Sequence, residues 1–504
     1  MRRTYYCGIA LFIYTGLFFL GGNARAAIPG SFDFNENCRQ AYQQMMSLHF
    51  DAAKSLLQAE KKTHPENLIP VYIENYEDFF RCVFDEDVNE LVSLEPNCDR
   101  RLLQLKQGDP ASPYFLFTQA QVQLQWALVH LKFESYYPAF FEIKRAYGEL
   151  LDNQKEFPSF RQNGASLGLL HALIGTIPPG YQWAVGLLGF SGEVKQGMQE
   201  VKEALDDCRL QQSVFLDETR YIYMFLRFAL DNDPAAAWTL ANDPDFPEPS
   251  GNPLACFMKG YYARKAGHNE AAIQILSNRQ FGSGAWSIYY LDYLLGNAKL
   301  TRLDADANVP LERFLQQFNG LNYVKDAYQK LAWYYLLEYS DYDRYDQYMN
   351  ACKVHGGKFT DSDKEALAEA NAGIAPNITL LKAKLCFDGG YYAKAIGLLA
   401  GKSTDDFISL KDKVEFTYRA GRIYHEWGFP DEAIGYYVST IQLGQAQSYY
   451  FAANAALELG HIFEARGNIA KARYYYNLCL SMPNTDYKNS LDQKAKSALN
   501  RLDH

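Results

Sequence analysis

Apolar residues recur three and four positions apart over most of the chain, the period of a helix with one buried stripe, and strict alternation is nearly absent. Toward the C-terminus the pattern repeats itself. Three segments align without gaps on a glycine, a small residue five positions later and a bulky residue four after that. They are Gly390, Ala395 and Leu399; Gly428, Ala433 and Tyr437; and Gly467, Ala472 and Tyr476. Gly421 and Gly460 precede the second and third by the same interval. Each copy predicts two helices. Gly390, Gly428 and Gly467 end the first helix, where a left-handed backbone is cheap only for glycine. The alanines let the second helix nest on the first, with Gly421 and Gly460 permitting close approach. Tyr437 and Tyr476 are expected to fill the space between neighbouring pairs.

This spacing is the tetratricopeptide pattern, with periods longer than its usual ~34 residues. Weaker copies follow Gly260, Gly267, Ala272 and Leu276, and Ala41, Phe50, Ala53, Leu57 and Pro65. Another lies around Ala332, Tyr335 and Tyr348, and Tyr114 to Leu151 reads as a long helix pair. No Asn-Gly hairpin lies between alternating apolar residues. The expected fold is all-α, a TPR-like helical-repeat solenoid with an irregular apolar insertion. An irregular helical bundle is the alternative. The densest loop signal, 242–251, divides an irregular N-terminal region (27–250) from regular C-terminal repeats (251–504).

The insertion is 164–192, which carries no charge apart from neutral His171. Its apolar stretches are split by Pro178-Pro179-Gly180 and are too short to span a bilayer. Three readings stand: a tightly packed helix-turn-helix, the wall of an apolar pocket for a lipid-like ligand, or a hairpin dipping into a membrane surface. The residues that would form such an apolar site are Ile177, Pro178, Pro179, Trp183, Leu187, Leu188 and Phe190. The run Gly164-x3-Gly168, Ile177-Pro178-Pro179, Leu188-Gly189-Phe190-Ser191-Gly192 and Gly197 resembles the family of tetratricopeptide-repeat protein 39 and the fungal inclusion-body clearance protein. The resemblance covers about 110–490 and implies a helical scaffold acting through protein partners, with lipid-linked roles and no enzyme activity. Its eukaryotic members work inside the cell, whereas this chain begins with an export-like segment.

That segment has Arg2 and Arg3, an uncharged run from Gly8 to Gly22, and Ala24-Arg25-Ala26. It reads as a signal peptide, 1–26, cleaved after Ala26; a retained signal anchor is the alternative. Its loss removes three basic and no acidic residues, taking the formal charge from -10 to -13. An exported, periplasmic or envelope-associated protein is expected. Without a cationic stripe, nucleic acid is set aside. Eight cysteines follow at wide, irregular spacing with no Cys-x-x-Cys, so neither metal nor redox motif is expected. Cys38, Cys82 and Cys98 are candidates for a disulfide, their pairing open.

No His-Glu-x-x-His, P-loop or Gly-x-Ser-x-Gly motif occurs. Phe190-Ser191-Gly192 lacks a preceding strand and the final glycine of a nucleophile elbow, and 304–315 lacks the glycine and glutamate of a calcium loop. No catalytic residue and no cofactor is expected. The 38 tyrosines suit half-buried surfaces, packing a ring while keeping a hydroxyl wet. Tyr262, Trp333, Tyr335 and Tyr424, with Arg422 and Asn454 as polar readers, are the candidate groove residues for a protein or peptide partner. A lipid-like ligand and a peripheral membrane contact are the other options. His425 and His461 occupy similar places in adjacent repeats.

Overall fold

A computed structural model describes residues 29–178 and 186–502. The export segment, Pro179 and Trp183 lie outside them. The described residues are helical almost throughout. The extended pairing given for them is two isolated bridges, Gly30 with Gly108 and Ser31 with Asn67.

The chain folds as antiparallel helix pairs. The regular ones are Pro253–Lys265 with Asn269–Ser277, Ile378–Asp388 with Tyr392–Leu399, Leu410–Glu426 with Pro430–Gly444, and Phe451–Ala465 with Ile469–Ser481. Local chemistry sets the ends. Asn252 caps Pro253–Lys265 by accepting from the Ala255 N–H (2.9 Å), with Pro253 in the first turn. Gly267, Gly390, Gly428 and Gly467 all have positive φ, from 71° to 90°. The repeat alanines 272, 395, 433 and 472 are wholly buried.

One expectation needs correcting. Tyr437 and Tyr476 fill a notch within their own pair rather than the gap between pairs. A Cβ on Gly421 would lie 2.7 Å from the Tyr437 ring, and one on Gly460 2.3 Å from that of Tyr476. Gly260 faces Leu276 in the same way.

The weaker copies are also pairs: Glu36–Met46 with Phe50–Thr63, Tyr114–Lys132 with Tyr136–Glu156, Tyr290–Arg302 with Asn308–Gln317, and Val324–Tyr339 with Tyr342–Val354. An unpaired helix, Asp361–Ala372, follows the last of these and packs on Val324–Tyr339. The molecule is an all-α, TPR-like helical-repeat solenoid. Its apolar core passes from pair to pair, and the largest cluster runs from Phe34 to Leu331. Across the 242–251 loop, Phe84 meets Phe257 (5.3 Å between centroids) and Phe50 meets Trp286 (5.7 Å). Asp243 and Asp245 hold the loop on Arg209 and Arg220.

The disulfide expectation is not met. Cys38, Cys82 and Cys98 are free thiols, each buried in the core.

Candidate functional site: a cleft on the first-helix face

First helices of successive pairs also touch one another. Pro253–Lys265 packs on Tyr290–Arg302, which reaches Val324–Tyr339 and Ile378–Asp388. Together with Asp361–Ala372 they enclose a cleft of about 260 Å³. Its wall is built from one stripe of each helix at three- and four-residue spacing: Tyr261, Arg264 and Lys265; Tyr290, Tyr293, Asn297 and Thr301; Asp326, Lys330 and Trp333; Lys384, Leu385 and Asp388. Tyr323, Ser362 and Glu365 complete it.

Most of its charges are committed. Lys330 Nζ donates to Asp326 Oδ1 at 2.9 Å, and the Tyr293 hydroxyl donates to Asp326 Oδ2 at 2.7 Å. Lys384 Nζ donates to Asp388 Oδ2 at 3.0 Å. Both ammonium groups also lie over the Trp333 ring, at 4.2 and 5.0 Å. Burial pushes the Tyr261 phenol up to about 12. Burial and the neighbouring Arg264 hold the Lys265 ammonium below the ordinary lysine range.

Of the six groove residues read from the sequence, Trp333 lines this cleft, its indole N–H donating to Glu369 (2.8 Å). The others lie elsewhere. Tyr262 is buried against Phe228 and Tyr261. Tyr335 stacks on Tyr348 (5.4 Å, 7°) and donates to Glu312, while Tyr424 stacks on Tyr436. Arg422 and Asn454 bridge the last two first helices, Arg422 to Glu458 and Asn454 to the Tyr418 hydroxyl (2.7 Å). His425 and His461 both turn Nδ1 toward that same Glu458, at 3.7 and 3.5 Å. This is a junction between repeats.

The first part of the uncharged segment enters a helix crossing. Asn163–Gly175 lies against Val194–Leu210, and glycine brings backbone onto backbone. A Cβ on Gly197 would stand 2.2 Å from the Gly168 carbonyl and 2.3 Å from the Ala172 nitrogen; one on Gly192 would stand 2.6 Å from His171 Cα. The Tyr147 hydroxyl donates to the Ser191 carbonyl (2.9 Å), and His171 Nδ1 pairs with Glu200 (2.6 Å). Tyr147 stands between Ser191 and His171, with its hydroxyl 3.2 Å from Ser191 Oγ and 3.4 Å from His171 Nε2. Phe190 is half-buried against Phe140 and Tyr147, and Ile177 is half-buried. Pro178 is exposed, as are Leu187 and Leu188, at 79% and 41%. A cavity of about 20 Å³ touches the segment at Ala165 and Ser166, room for about one water.

No family model matches the chain, and no curated protein does. Solved structures that match include a chain of the Naa15/Naa10 complex bound to HypK-THB, at 14% identity and a TM-score of 0.25. The match covers 92% of this chain, which spans 65% of the length of that one. A likeness that loose carries no argument, and the fold rests on the helix pairs themselves.

The cleft residues missed in the sequence had a legible signal. Tyr290, Tyr293, Asn297 and Thr301 are spaced as one helical stripe. In the preceding pair Tyr261, one position before Tyr262, faces the cleft. One step along a helix turns a side chain by about 100°. Among the described residues no helix is long and apolar enough to cross a membrane, and no cluster of three His, Cys, Asp or Glu side chains suits a metal ion.

Proposed function

We propose that the protein is an exported, non-catalytic scaffold of the cell envelope that seats a protein or peptide partner along its first-helix face. The observation that carries this reading is the cleft, where helices from successive pairs contribute one polar-aromatic stripe each. Such a surface is what stacked helix pairs offer an extended segment. The resemblance of 164–197 to the tetratricopeptide-repeat protein 39 and inclusion-body clearance family supports the same reading, with this chain as an exported member working through partners.

The test is affinity purification from the native envelope with wild-type protein, Tyr261→Ala, and Tyr474→Ala as a control at an exposed second-helix position. A partner kept by wild type and Tyr474→Ala but lost by Tyr261→Ala is the expected result. Equal recovery by all three would rule the cleft out as the binding site.

A second reading is peripheral membrane contact. Exposed Leu187 and Leu188 lie beside Phe190, which meets Phe140; Phe140 in turn meets Phe141, and Phe141 meets Tyr137. Protein of this kind sediments with liposomes, and Leu187→Asp/Leu188→Asp abolishes sedimentation. Undiminished binding by that variant would sink the membrane reading. An apolar-ligand carrier is less favoured: of the cavities touching 164–178, that at Ala165 and Ser166 is about 20 Å³, and that at Gly164, about 300 Å³, is walled by the charged Arg161, Glu200, Glu203 and Asp207.

A further inference from the structure

Beside Gly164, where the helix Asn163–Gly175 starts, a cavity of about 300 Å³ opens between that helix, the loop before it and Val194–Leu210. Such a volume is at the small end of ligand sites, which run from roughly 300 to 1,000 Å³. It shares no lining residue with the first-helix cleft.

One wall is acidic. Glu200, Glu203 and Asp207 fall three and four residues apart, so they share one stripe of Val194–Leu210 and repel one another. Glu200 is answered by His171 Nδ1 at 2.6 Å. Glu203 and Asp207 receive neutral amides of their own helix, Gln199 Nε2 (2.7 Å) and Gln211 Nε2 (3.0 Å). Neither has an ion pair among the described residues. A cation seated on them removes the repulsion and gains charge-assisted hydrogen bonds.

The other wall favours an anion. Arg161 stands just before the helix Asn163–Gly175, and its guanidinium forms no ion pair with those carboxylates. No side chain caps the helix start, where the dipole is positive. Asn163 adds the independent observation. It lines the cavity at 1% exposure, and its Oδ1 accepts from Asn153 Nδ2 (3.0 Å) while its own Nδ2 is a buried donor with no acceptor. A buried donor left open is costly until an acceptor reaches it.

We infer that this cavity binds a free basic amino acid such as lysine, its α-carboxylate on Arg161 and Asn163 Nδ2 and its two ammonium groups on the acidic stripe. The charge count selects that class. Arg161 calls for one anionic group, and the two carboxylates without a cation, Glu203 and Asp207, call for two cationic ones. A neutral amino acid brings one cation too few, and a diamine lacks the anion. Phe160 lines the space for the aliphatic chain between the charged ends.

Isothermal titration calorimetry of the purified protein compares L-lysine with cadaverine, which lacks the carboxylate, and L-glutamate, which lacks the second cation. L-Lysine is expected to bind at least about tenfold tighter than either. Arg161→Ala and Glu203→Gln/Asp207→Asn should each weaken lysine binding at least about tenfold. Arg161 and Glu203 are exposed, so their replacement leaves the core intact. Asp206→Asn, a charge loss on the same helix outside the cavity, leaves the affinity unchanged. Circular dichroism melting checks each fold. The assignment is overturned if L-lysine does not bind, if it binds no tighter than cadaverine or glutamate, or if either cavity variant binds it as well as wild type. The comparison of ligands needs wild-type protein alone, so it decides the matter even where a variant fails to fold.

Discussion

Glu149 shows how burial sets a residue's behaviour. Burial raises its carboxyl from 4.5 to about 7, outweighing the charge of Lys106 and the hydrogen bond from Gln123 Nε2 (2.6 Å). The folded protein therefore holds a proton that the unfolded chain releases near 4.5. That contribution to stability is complete below about 4.5 and is lost as pH rises through about 7. Glu149→Gln should match wild type at pH 4.5 and be more stable at pH 8, by on the order of 1 kcal/mol, as measured by denaturant melts at both pH values. The cysteines give a second prediction. Burial pushes the thiols of Cys38, Cys82, Cys98, Cys256 and Cys479 up to about 12, which suppresses the reactive thiolate. Ellman's reagent should find almost none of the eight from Cys38 to Cys479 in native protein at pH 8 and all eight in guanidinium. Fewer than eight under denaturing conditions would restore a disulfide.

At the scale of the element, glycines with the same composition signal do different jobs. Gly197 is a contact surface, where any side chain meets backbone that cannot rotate away. Gly197→Ala should destabilise by about 1–3 kcal/mol or more, through overpacking of the crossing with Asn163–Gly175. Gly435, inside the helix Pro430–Gly444, has nothing within 4 Å of an added Cβ. Gly435→Ala should stabilise by about 0.5–1 kcal/mol through helix propensity. Thermal melts of the two variants should move in opposite directions. The sequence marked Gly197 through the family resemblance; the crossing supplies the physical reason.

Over the whole molecule, each pair is stabilised mainly by its neighbours, so stability is distributed along the chain. The terminal helix Lys488–Leu502 buries Leu491, Ala495 and Ala498 against the last pair, and Arg501 pairs with Glu464. Deleting 488–502 exposes that apolar face. Hydrogen exchange should then accelerate in Phe451–Ala465 and Ile469–Ser481 while Ile69–Asp85 and Tyr114–Lys132 keep their protection. Uniform loss of protection would mean that the chain unfolds as one unit. Much of this architecture was legible in the residues. Helix period, the turn glycines 390, 428 and 467, and the alanine notches depend on neighbours within a few tens of residues, and local sterics determine them. Which stripe of each first helix meets the others and why Tyr437 fills its own pair's notch depend on the rotation and stacking of helices far apart in the chain. Only the tertiary structure decided those, because a turn of about 100° separates one residue's face from the next.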